Sequence, residues 1–104
     1  AINKSAWGAE ARYEIANCYF NTGNFSAAEK AALATVKETG SYDFWVTSSY
    51  ILIGDIFMQQ KDYFNAKATF QSVAQNAVLP ELKTQAQQKL DKAIEEEKVT
   101  SKIN

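Results

Sequence analysis

Few side chains in this sequence could do chemistry, and their spacing limits what each can do. Cys18 is the single thiol. A catalytic thiol needs a nearby base or positive charge to lower its pKa, and the flanking Asn17 and Tyr19 supply neither. We expect it in a small, buried, apolar role. Glu10 and Glu14 stand four residues apart and share a helix face. General acid–base work would need a cleft that perturbs one of the two carboxyls, and nothing in the sequence supplies one. Glu95, Glu96 and Glu97 are consecutive. Adjacent helical side chains point about 100° apart and cannot converge on one cation, so this run is expected as a solvated helix end. Histidine is absent, which removes Ser-His-Asp triads, Cys-His dyads and imidazole-ligated metals. No glycine-rich phosphate cradle is present. The expectation is a protein without catalytic residues, cofactor or metal.

What remains is binding, and the charge balance narrows the partner. Eleven Lys plus Arg against twelve Asp plus Glu leave a net charge of -1. Nucleic-acid modules carry a basic excess or stripe, and Arg12 is the only guanidinium here, so no nucleic-acid partner is expected. One cysteine cannot form an internal disulfide or a Cys-rich zinc site. No apolar run approaches the ~18 residues of a membrane span, and no signal-peptide pattern precedes the domain. The first residue is Ala1 and not Met, so we expect a fragment or a processed product.

The elements that must position a binding surface are helices. Sixteen Ala, four Gly and a single Pro favour them strongly, and the Phe and Tyr residues show no strand-like alternation. At an offset of 38 the chain resembles itself: Trp7 falls on Trp45, Ile15 on Ile53, Ala16 on Gly54, Tyr19 on Phe57, Asn24 on Asp62, Phe25 on Tyr63 and Ala28 on Ala66. Large meets large and small meets small, as a helix hairpin packed on its copy requires. In the first copy Trp7, Ala11, Ile15, Ala16 and Tyr19 follow one helix face. Asn21 to Asn24 then turn, with Gly23 suited to a left-handed position. A second helix from about Phe25 to Lys37 buries Ala28, Ala32, Leu33 and Val36. Gly40 and Ser41 break it, and Asp43 is placed as the next N-cap. The second copy predicts helices over about 44–60 and 63–76. Lys61 stands where Gly23 stood, which predicts strain in that turn.

These residues resemble the tetratricopeptide repeat family. The pattern lies in Ala16, Tyr19, Gly23-Asn24-Phe25 and Ala28, and again in Gly54, Phe57, Asp62-Tyr63, Ala66 and Phe70. There are three departures. Arg12 and Tyr50 hold the usual Trp position, the Pro after the second helix is missing, and the period is 38 where the family has ~34. The resemblance implies an all-α, right-handed α-α superhelix. A single domain over 1–98 would hold repeat 1 (about 5–38), repeat 2 (about 43–76) and a C-terminal helix (about 80–98), with 99–104 as a frayed tail. That helix opens at Pro80, suited to a first helical position. It carries Leu82, Ala86, Lys89/Leu90 and Ala93 as an apolar stripe but matches neither repeat helix at the offsets compared. We expect it to cap the last hairpin, or to begin a divergent third unit.

The resemblance also implies that first helices line a groove. Its positions are Glu10, Tyr13, Asn17, Phe20 and Asn21, then Ser48, Ile51, Asp55, Met58 and Gln59, with Tyr13, Phe20 and Phe64 read as exposed aromatics. Members that hold acidic chaperone tails clamp a carboxylate with Lys and Asn. Asn17 fits, but Tyr13, Ile51 and Asp55 do not, and Asp55 would repel the ligand. The function implied is a non-catalytic protein–protein interaction module, part of a larger repeat protein, docking a peptide or partner helix. The alternative is a purely structural or self-associating segment. The pattern of Gly23-Asn24-Phe25, Ile53-Gly54-Asp55-Ile56-Phe57 and Lys61-Asp62-Tyr63 also resembles bacterial envelope-associated proteins of TolA-binding and outer-membrane assembly lipoprotein type. That implies a periplasmic or cell-envelope setting, with a cytoplasmic one as the alternative.

Overall fold

The structure, a computed structural model, describes residues 6–39 and 43–103, with side chains over 8–37 and 44–101. Five helices make up nearly all of it: α1 (Ala6–Asn21), α2 (Phe25–Thr39), α3 (Asp43–Gln59), α4 (Tyr63–Asn76) and α5 (Pro80–Ile103). No strand occurs among the described residues. The fold is all-α, and α1–α2 and α3–α4 are the two hairpins expected from the offset of 38. Gly40, Ser41 and the side chains of Trp7 and Asp43 lie outside the described residues.

Both hairpin turns are built alike, for reasons visible in the backbone. Asn24 N–H donates to the Tyr19 carbonyl at 2.9 Å and Gly23 N–H to the Phe20 carbonyl at 3.1 Å. In the second hairpin Asp62 N–H donates to Phe57 at 2.8 Å and Lys61 N–H to Met58 at 3.0 Å. This is the Schellman ending, and it demands a left-handed residue just past the helix. Gly23 supplies it at φ 81°, whereas Lys61 is held at φ 61°. Asn24 and Asp62 then start the next helices. The Asp62 carboxylate accepts the Asn65 N–H at 3.2 Å, and the Asn24 side chain accepts the Ala27 N–H at 3.5 Å. One polar residue thus ends one helix and caps the other.

Packing inside the hairpins explains why the two copies share so few identities. Ala16, Ala28 and Ala32 are fully buried between α1 and α2. The equivalent positions in the second hairpin are Gly54, Ala66 and Phe70, with Ala66 and Phe70 fully buried. A Cβ on Gly54 would run into the Phe70 ring. Where the first hairpin closes with two alanines, the second closes with glycine against phenylalanine, and the ring fills the space that a side chain on Gly54 would take.

α5 packs along α4 and also touches α3. Leu82, Ala86 and Ala93 are buried there, and Leu90 packs at the edge. An offset of 37 lays this stripe on α3, with Ala86 on Ser49, Leu90 on Ile53 and Ala93 on Ile56. α5 therefore meets α4 as α3 meets α2. The match is hard to see from sequence because Asp91 stands at the position of Gly54, so the half of the signature that receives a hairpin partner is missing.

Several sequence expectations are corrected. Helix α5 continues to Ile103, five residues past the expected end, and the acidic run is not at a helix end. Within it, Glu97 forms an ion pair with Lys67 of α4, so this side chain is not simply solvated. Leu33 is exposed, because α2 turns that side away from both neighbours. Ile15 is 54% and Tyr19 40% exposed, and Cys18, expected to be buried, is exposed too. Their counterparts Ile53 and Ile56 are buried because α2 covers that face of α3, while no described helix covers it on α1.

Two stability outcomes follow from these contacts. Lys61→Gly relieves a left-handed side chain that costs roughly 1 kcal/mol, so it should raise the melting temperature by a few degrees. Gly54→Ala and Ala66→Leu overpack the α3–α4 crossing. Each should cost about 1 to 3 kcal/mol in denaturant unfolding, and Phe70→Leu added to Gly54→Ala should recover part of the loss.

Candidate binding groove

First helices of successive hairpins run side by side, so their outward faces form one continuous surface. α1 contributes Tyr13, Glu14 and Phe20, and α3 contributes Ser48, Ile51, Asp55, Met58 and Gln59. α5 extends the surface with Gln85, Lys89, Lys92 and Glu96. Two adjoining hollows lie along it. One, of about 340 Å³, is walled by Tyr13, Trp45, Ser48, Ile51, Asp55 and Gln85. The other, of about 310 Å³, is walled by Phe20, Asp55, Met58, Gln59, Lys89 and Lys92. Asp55 belongs to both walls.

The electrostatics centre on Asp55. Lys89 of α5 donates to its carboxylate at 3.0 Å, and both side chains keep about a quarter to a third of their exposure. Burial pushes the Asp55 pKa up, while the hydrogen bond and charge of Lys89 pull against that. The Tyr13 hydroxyl is also held above its ordinary pKa, by burial first and then by the charges of Asp55 and Glu14. It therefore stays protonated at neutral pH. Glu10 is exposed and lines neither hollow, so the Glu10–Glu14 pair converges on no cleft.

The sequence-derived groove residues fare unequally. Asn17 is half-buried, and Asn21 and Gln59 are exposed; Asn17 and Asn21 line neither hollow. Met58 is half-buried and lines the second hollow, while also packing against the core. Ile51 is buried in that core and offers the groove only an edge. Tyr13 and Phe20, read as exposed aromatics, are half-buried in ring pairs. Tyr13 sits 5.4 Å from Trp45, and Phe20 sits 5.7 Å from Phe25. Phe64 is 77% exposed as expected but lines no part of this surface. Asp55, read as a bare negative charge, is tied to Lys89.

The α5 residues are what the sequence reading missed. Lys89 was placed in an apolar stripe. Its signal was available, because Gln85, Lys89, Lys92 and Glu96 repeat at helical spacing beside that stripe. A larger hollow of about 470 Å³ lies on another face, along the seam of α3 and α4. Its polar side chains partly serve their own helix: Thr69 donates to the Asn65 carbonyl and Asn76 to that of Ser72. The groove, by contrast, gathers side chains from three helices and mixes apolar with charged groups.

The family model for the tetratricopeptide repeat matches residues 9–34 and 47–75, more than half of the chain. It describes the repeat in general and carries no compartment. No curated protein and no solved structure gives a significant match.

The raised Asp55 pKa has a signed consequence. Between the ordinary aspartate pKa and the raised one, the folded protein holds a proton that the unfolded chain has lost. The Asp55 contribution to stability therefore falls as pH rises through the folded value. A carboxyl titration followed by NMR should place Asp55 above an ordinary aspartate. In Lys89→Met it should move higher still, since both lowering influences go with the ammonium.

Proposed function

We propose that this chain, which belongs to the tetratricopeptide repeat family, is a non-catalytic protein–protein interaction module that docks a peptide or partner helix along the α1–α3–α5 groove. Repeats of this family generally serve as protein-interaction modules. The observation that carries the groove reading is the pair of hollows meeting at Asp55. Phe20 and Met58 offer apolar area, and around them Gln59, Lys92 and Glu96 offer polar groups that would fix register. A mixed apolar and polar strip of this kind suits side chains that alternate between anchoring and orientation. The Asp55–Lys89 pair holds α5 against α3, so the groove is preformed and little ordering is needed on docking.

Both charge signs are present, with Lys92 on one wall and Glu14 and Glu96 beside it. That favours a ligand with mixed charge over a strongly acidic tail. Selection from a displayed library of random peptides against the intact protein tests the reading. Selected peptides should lose roughly tenfold or more in affinity with Met58→Lys or Lys92→Glu, the size of a modest hot-spot change. Phe64→Ser, outside the groove, should leave them unchanged. Peptides indifferent to both groove variants would sink the proposal.

A further inference from the structure

The two hollows of the groove differ in charge and in ring content. The first is bounded by three aromatic rings, Tyr13, Phe44 and Trp45, and by the carboxylates of Glu14 and Asp55. Among the described residues no Lys or Arg lines it, whereas Lys89 and Lys92 line the second. Glu14 is exposed, and Phe44 keeps 41% of its surface in water. Trp45 sits 5.4 Å from Tyr13 at an interplanar angle of 43° and 4.6 Å from Phe44 at 88°. Rings inclined in this way line a corner and not one flat wall. Ring faces attract cations, more strongly where water is partly removed. The Tyr13 hydroxyl reports the sign of the local field, since Asp55 and Glu14 add to burial in raising its pKa. Negative charge that disfavours a phenolate favours a cation in the same place.

We infer that this hollow is a cation site whose occupant is a lysine side chain of the docked peptide, an inference that rests on the groove reading above. The floor is apolar, formed by the buried side chains of Ile51, Leu52 and Leu82. A four-carbon stem lies well on such a floor while its charged end stays at the rim. There the ammonium meets Glu14, Asp55 and the aromatic corner without losing all of its water. An arginine fits less well. Its planar guanidinium favours a flat ring face or a bidentate carboxylate, and the rings here are mutually tilted. A quaternary ammonium fits less well for another reason. It has no N–H to donate, so it forgoes the charge-assisted hydrogen bonds that two carboxylates offer. The two hollows then divide the ligand by sign, a cation beside Glu14 and acidic or neutral groups beside Lys92.

The test titrates the isotope-labelled intact chain with Nα-acetyl-lysine N-methylamide and follows the Trp45 indole N–H by NMR. The norleucine counterpart keeps the stem and lacks the ammonium. The lysine probe should shift Trp45 saturably, and the norleucine probe should bind at least about fivefold more weakly. That factor follows because one exposed cation–π contact is worth about two- to fivefold. Phe44→Leu and Glu14→Gln alter exposed side chains, so circular dichroism should show both variants folded. Each should weaken the lysine probe about two- to fivefold and leave the norleucine probe unchanged. Equal binding of the two probes would make the hollow a plain apolar slot and overturn the inference. So would tighter binding of the arginine counterpart, or of choline in a manner indifferent to Glu14→Gln. Library-selected peptides that respond to Lys92→Glu but bind Phe44→Leu and Glu14→Gln as tightly as the parent would overturn it too. That last result would leave the groove reading standing, which separates the two failures.

Discussion

The arrangement of this protein depends on how closely two helices of a hairpin can approach. In the first hairpin the approach is set by Ala16, Ala28 and Ala32, and in the second by Gly54 and Ala66 against the Phe70 ring. Backbones this close leave no room for adjustment, because protein interiors are packed like crystals. The crossing fixes the relative rotation of the helices. It thereby decides which side of α3 faces α2, which side faces α5, and which side is left for the groove.

The hairpins are joined by a second kind of contact, between the first helix of one unit and the second helix of the unit before. Ile53 and Ile56 fill it at the α2–α3 junction, and Leu82, Ala86 and Ala93 at α4–α5. Each unit contacts its neighbours in chain order, so stability accumulates junction by junction. α5 is informative because it keeps the face that looks back to the preceding unit. On the side where a hairpin partner would sit it carries Asp91 in place of a small residue. Its remaining polar side chains are free to contribute to the groove, as Lys89 does by reaching Asp55.

Burial and charge act together in that groove. Removing much of the water around Asp55 penalises its carboxylate, and the ammonium of Lys89 offsets part of the penalty. Half-exposed pairs of this sort add little to stability, typically about 0 to 1 kcal/mol. The pair matters more for position. It joins two helices that otherwise make only limited contact and keeps the hollows on either side of Asp55 apart. Tyr13 and Phe20 are anchored by Trp45 and Phe25, so their rings present fixed edges to a ligand.

Much of this was legible in the residues. Periodicity reports which side chains share a face, and turn chemistry reports where a helix stops. Hence the two hairpins, the left-handed turn at Gly23 and the strain at Lys61 could be read directly, as could the small residues at the crossings. The sequence alone also removed imidazole chemistry and a strongly basic ligand surface. It could not tell which apolar face finds a neighbour. Ile15 and Ile53 are the same residue at equivalent positions, yet one is more than half exposed and the other buried. Burial belongs to a pair of surfaces, and only the tertiary structure shows that α2 covers α3 while no described helix covers α1. The same reason hid the α5 wall of the groove. Lys89 and Asp55 lie 34 residues apart, no local pattern links them, and stacking of α5 beside α3 alone decided that they meet.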